Sequence, residues 1–88
     1  MNFNDVTKRI GEALMVLLKR NWSCPIYAVA ITRNGSMIGY KYDFDGKQEG
    51  LNCKVLAEWK HPSDIIMLPV NVMLTDSRGE VATIVISG

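Results

Sequence analysis

His61-Pro62-Ser63-Asp64 places an imidazole, a hydroxyl and a carboxylate within four residues, and His61 is the sole histidine of the chain. Such a cluster could serve acid–base chemistry. No third group can be named to orient it, and Ser and Asp beside a proline are ordinary turn residues. Cys24, Cys53 and His61 offer three soft ligands. A structural zinc site takes four, with two close in sequence, and the chain has no Cys-x-x-Cys. Asp43-Phe44-Asp45-Gly46 resembles the start of a calcium loop. That loop needs a glutamate six residues after its glycine, and position 52 is Asn. Neither a phosphate-binding glycine loop nor a Gly-x-Ser-x-Gly elbow occurs. No catalytic residue, metal ligand or cofactor is therefore assigned, and an enzyme ranks last among the functional readings.

Gly39-Tyr40-Lys41-Tyr42-Asp43-Phe44 carries aromatics at alternate positions. On an open sheet such rings can stack on unpaired bases, and the spacing looks like part of the motif of RNA-recognition domains. It departs from that motif in three ways. Ile38 stands where a leading base is expected, Asp43 would repel phosphate, and the βαββαβ order is missing. Packing of these rings in a core or an interface is the stronger expectation. Lys8, Arg9, Lys19 and Arg20, interspersed with Asp5 and Glu12, read as the solvated side of a helix.

Whatever the chain does, it must do it with one domain, residues 1–88. It is 48% hydrophobic and 22% charged, the composition of a globular protein rather than a disordered one. The net charge of +1 gives no bulk attraction to nucleic acid or to an anionic membrane. Two cysteines are fewer than a secreted disulfide scaffold of this size carries. Met1-Asn2-Phe3-Asn4-Asp5 does not open a secretory signal, and the longest apolar run, Ala13 to Leu18, is too short to span a bilayer. The expectation is a cytoplasmic protein with reduced thiols and no membrane partner.

The periodicities predict an α+β fold, an N-terminal amphipathic helix packed on a four- to five-stranded, mainly antiparallel sheet. Val6, Ile10, Ala13, Leu14 and Leu17 make one stripe over a helix of residues 4–20, capped by Asn4 or Asp5 and stopped at Asn21. Gly11 lies near the edge of that stripe and suggests a close backbone approach. Ile26–Thr32 and Met37–Phe44 flank Asn34-Gly35, the strongest short hairpin signal. A two-residue turn there sets Ile31 opposite Ile38, Val29 opposite Tyr40 and Tyr27 opposite Tyr42. A polar turn over 45–50 leads to Leu51–Trp59, read as a strand with a short helix as its rival. Ile65–Thr75, irregular at Pro69, and Val81–Ser87 close the sheet around Asp76-Ser77-Arg78-Gly79. The order of elements is similar in outline to profilin-like sensory and scaffold domains, including the roadblock type. That likeness is architectural, names no functional residue and assigns no family.

In the two-residue register one face is large and aromatic, with Tyr27, Val29, Ile31, Ile38, Tyr40, Tyr42 and Phe44. The other is small, with Ile26, Ala28, Ala30, Thr32, Met37, Gly39 and Lys41. A single helix covers one face and leaves the other in water. The expected function is accordingly a small interaction or regulatory module acting as a homodimer, with Tyr27, Tyr40, Tyr42 and Phe44 as its contact surface. A further protein partner is compatible with the same surface. A small-ligand sensor with a pocket between helix and sheet is the alternative, followed by a weak single-stranded nucleic-acid binder.

Overall fold

A computed structural model describes residues 2–44, 51–59 and 66–87, apart from the side chain of Phe3. One helix, α1 (Phe3–Leu18), precedes five strands: β1 (Ile26–Thr32), β2 (Met37–Phe44), β3 (Leu51–Trp59), β4 (Val70–Thr75) and β5 (Val81–Ile86). All pairings are antiparallel, in the order β3-β2-β1-β4-β5. The α+β expectation holds, and residues 51–59 are strand rather than helix. The corner at His61-Pro62-Ser63-Asp64, the turn over 45–50 and the expected start at Ile65 lie outside the described residues. Among those described, no helix is long and apolar enough to cross a membrane.

The helix starts earlier than its stripe suggests. Asn2 is the cap: its Oδ1 accepts from the Asp5 N–H at 2.9 Å, and Asp5 Oδ2 accepts from the Asn2 N–H at 3.3 Å. This reciprocal pair satisfies donors that the first turn leaves open. The helix ends at Leu18, so Lys19 and Arg20 fall just beyond it, and Asn21 takes the expected left-handed conformation at φ 69°. The fourth strand begins at Val70, immediately after Pro69, whose missing N–H suits a strand start.

The first hairpin departs from expectation in a way that decides the core. Its loop has three residues, Arg33-Asn34-Gly35, closed by Thr32 N–H donating to the Ser36 carbonyl at 2.9 Å. Within the loop, Gly35 N–H donates to the Thr32 carbonyl at 3.1 Å. Of the two loop residues Asn34 and Gly35, only Gly35 has positive φ, at 88°. A two-residue I′ turn would need it at both, so the loop is a type I turn closed by a left-handed glycine. The Thr32 hydroxyl supports the tighter start, accepting from the Ser36 N–H at 2.9 Å and donating to Asn34 Oδ1 at 2.7 Å.

One extra loop residue slips the register by one, and a one-residue slip exchanges the faces of a strand. The observed partners are Ala30 with Ile38, Ala28 with Tyr40 and Ile26 with Tyr42. Small residues of β1 thus lie beside large ones of β2 on the side facing α1. There Val6, Ile10 and Leu14 of the helix meet Ile26, Ala28, Ala30, Ile38, Tyr40, Tyr42, Val70, Val72 and Leu74, all buried. The purely aromatic face and the purely small face do not exist.

Candidate functional site

Among the described residues nothing covers the sheet face turned away from α1 or pairs with the outer edge of β5. The cross-strand pairings lay out the open face in rows. Trp59, Met37, Ile31, Asn71 and Val85 form one row, and Ala57, Gly39, Val29, Met73 and Thr83 the next. A third runs from Lys41 through Tyr27 and Thr75 to Val81, with Lys54 opposite Lys41. The three most exposed large apolar side chains lie here, Val81 at 73%, Trp59 at 59% and Val85 at 58%, together with Met73 at 48%. The face is therefore aliphatic at its centre and β5 side, and basic at the corner where two lysines are neighbours.

The helix is anchored to the other half of the sheet. Thr7 Oγ1 donates to Tyr40 Oη at 3.0 Å, and Tyr42 Oη donates to the Thr7 carbonyl at 3.2 Å. The two phenol rings are tilted against each other with centroids 5.8 Å apart. A Cβ on Gly11 would meet Tyr42 Cε1 at 4.0 Å, an ordinary contact, so no close backbone approach depends on that glycine. Because Thr7 and Gly11 face β2, the opposite flank of α1 overlooks β5. Arg9, Glu12 and Ala13 line a groove of about 540 Å³ with Ile84 to Ser87, and Arg9 Nη1 donates to the Ser87 carbonyl at 3.4 Å. Val16, four residues beyond Glu12 on that flank, is 52% exposed.

Tyr40 and Tyr42 are 1% and 2% exposed, inside the helix–sheet layer, so the expected contact surface is corrected. Only Tyr27 lies on the open face. Phe44 sits opposite Leu51 at the end of the covered face, more than half exposed. The register slip is the physical cause, because it carries the β2 rings to the helix side. It also removes the stacking platform from the nucleic-acid reading, since rings beneath a helix cannot receive bases. At the centre of the layer Val6, Ile10 and Leu14 pack in one core with the two tyrosines. Two grooves lie along the outer flank of the helix.

The titratable groups near these surfaces are tuned by packing. Burial pushes the Tyr42 phenol far above the ordinary tyrosine range, helped by neighbouring Cys53, and raises Tyr40 in the same way. Burial also raises both free thiols, Cys24 and Cys53, which disfavours the reactive thiolate. Asp76 is enclosed in the second hairpin. Burial opposes its charge, but N–H donors from Ser23 (3.0 Å), Arg78 and Glu80 (both 2.9 Å) outweigh it and lower its pKa, aided by the Arg78 guanidinium. Its oxygens are thus spent on holding the turn and the segment after α1. No group of three or more His, Cys, Asp or Glu able to hold a metal occurs among the described residues.

No known protein family, curated protein or solved structure matches the chain. The surfaces themselves carry what can be said of function.

Proposed function

We propose that this chain is a non-enzymatic interaction module, regulatory in role, that works in the cytoplasm as a homodimer. The copies join through apolar surface that α1 leaves uncovered. One observation supports the reading above the others: among the described residues, a five-stranded sheet has a single helix on one side and aliphatic side chains in water on the other. Five strands about 4.8 Å apart and about 20 Å long present a projected face of roughly 480 Å². The largest apolar patches on soluble monomers run to roughly 300–600 Å² and are often functional. Polar residues on the face, Asn71, Thr75 and Thr83, keep the free chain soluble without filling the role of a second layer. Reduced thiols fit the same setting, since Cys24 and Cys53 are both free and half-buried.

The test is the mass of the purified chain by sedimentation or light scattering from about 5 to 200 µM, a range suited to modest interfaces. The expected result is twice the mass of 9.8 kDa, reached within that range. A mass that stays at one chain throughout would defeat the reading.

A further inference from the structure

The two edges of the sheet are treated differently. Edge strands attract other strands, and proteins guard them with charge, bulges or proline. The β3 edge is guarded: it carries Lys54 and Glu58, and its register breaks opposite Gly39 and Tyr40, leaving Leu56 as the extra residue of a bulge. The β5 edge has none of these devices. Val81-Ala82-Thr83-Ile84-Val85-Ile86 is uncharged, free of proline and glycine, and in unbroken register with β4. We propose that β5 is the joining strand, pairing antiparallel with β5 of a second copy to give a continuous ten-stranded sheet. The proposal rests on the homodimer reading and specifies its geometry.

The register follows from the ladder. Asp76 N–H donates to the Glu80 carbonyl at 3.0 Å. Counting alternately from that pair, the backbone groups of Ala82, Ile84 and Ile86 turn to β4, and those of Val81, Thr83 and Val85 turn outwards. A twofold axis through Thr83 lets all three outward residues bond at once, Thr83 to its own copy and Val81 to Val85 on both sides. That gives about six hydrogen bonds. The side chains match in the same register. Threonine meets threonine between two valine pairs on the open face, while Ala82 and Ile84 stand opposite each other on the helix side, small against large. Ile84 of the second copy then projects beside the groove that α1 leaves along β5.

Charge points to a second copy rather than to a foreign strand. The edge itself brings no charge into contact with its copy. The flank of α1 above it carries Arg9 and Glu12, both lining the groove. In the same register Ile86 stands opposite Glu80 of the second copy and Ser87 opposite Gly79, so each Arg9, bonded to the Ser87 carbonyl, falls beside the second copy's Glu80 on the helix side. A foreign strand would find only generic backbone donors and acceptors.

Three variants test this against the alternative of face-to-face packing. Thr83→Lys puts like charges at the axis and should weaken dimerisation at least tenfold. Met73→Lys lies one strand inward on the same open face and should leave the dimer intact. Thr83→Cys should cross-link to itself under mild oxidation at least tenfold faster than Lys54→Cys on the guarded edge, because Cα atoms of a hydrogen-bonded pair lie about 5.5 Å apart, within disulfide reach. Circular dichroism checks that each variant is folded. A dimer that resists Thr83→Lys, yields to Met73→Lys and gives no preferential Thr83→Cys cross-link would overturn the edge pairing while sparing the homodimer. A wild-type chain that never exceeds one copy overturns both. Should both lysine variants dissociate, the cross-linking rate decides.

Discussion

Truncating Tyr42 should unfold much of the domain, whereas the same truncation at Tyr27 should not, and the contrast reads the hairpin register directly. Tyr42 is 2% exposed beneath α1, and Tyr27 is 42% exposed on the open face. A buried tyrosine removes about 200 Å² from water, worth up to about 5 kcal/mol at about 25 cal/mol per Å². Emptying an aromatic site in a core costs about 3–5 kcal/mol by mutational precedent. A chain of 88 residues has roughly 4–13 kcal/mol in all, at about 0.05–0.15 kcal/mol per residue. Tyr42→Ser is therefore expected to remove about 3–5 kcal/mol, a fall in Tm of more than about 12 °C. Tyr27→Ser should remove about 1 kcal/mol or less, in line with its partial burial. Tyr42→Phe isolates the hydroxyl, whose bond to the Thr7 carbonyl at 3.2 Å is worth about 1 kcal/mol. Urea unfolding followed by tryptophan fluorescence and circular dichroism at one fixed chain concentration measures all three. Equal destabilisation by Tyr27→Ser and Tyr42→Ser would refute the placement of the rings, because a two-residue turn would put both on one face.

Gly35→Ala should destabilise by about 1 kcal/mol through backbone strain alone, since φ is 88° and nothing lies within 4 Å of an added Cβ. Gly35→Asn should recover part of that in the same urea experiment. Asp76 supplies the pH dependence. Its pKa is lowered on folding, so its contribution is present above the unfolded value of about 3.9 and is lost as the pH falls below it. The wild-type urea midpoint should therefore fall more steeply between about pH 5 and 3 than that of Asp76→Asn, and parallel slopes would remove Asp76 from the account.

Most of the architecture was legible in residue patterns. The stripe Val6, Ile10, Leu14 placed the helix, and apolar patterning placed β1, β2, β3 and β5 to within a residue or so, because both signals are periodic and local, whereas the run expected from Ile65 forms strand from Val70. The cap was missed by two positions. Asn2 and Asp5 form the reciprocal pair, and the sequence clue was the side-chain acid three residues after an amide. The face assignment failed at Asn34-Gly35. That dipeptide suits a two-residue loop and a three-residue loop alike, and the choice rests on Thr32, whose hydroxyl bonds across the loop to Ser36 and Asn34. Small beside large was the available sign. Ala28 and Ala30 leave room that Tyr40 and Ile38 fill, whereas the other register stacks rings on rings and leaves alanine beside glycine.

The slip changes which residues are left in water more than how many. Moving β2 by one place exchanges its alternate side chains between faces, while β1 keeps its own. The covered face holds Tyr40 opposite Ala28 and Tyr42 opposite Ile26, with both hydroxyls bonded to Thr7. The open face lacks the two β2 phenols, which tolerate water, and beside Tyr27 it carries Met37, Val29, Ile31 and Met73, which do so less well. Surplus apolar surface therefore persists, and two of its three most exposed members, Val81 and Val85, lie on the strand whose edge is unguarded, the third being Trp59 on β3. Association at β5 would set Val81 beside Val85 of the second copy and satisfy the outward backbone groups of the strand in one register, adding lateral apolar contact at the seam where Val81 is most exposed.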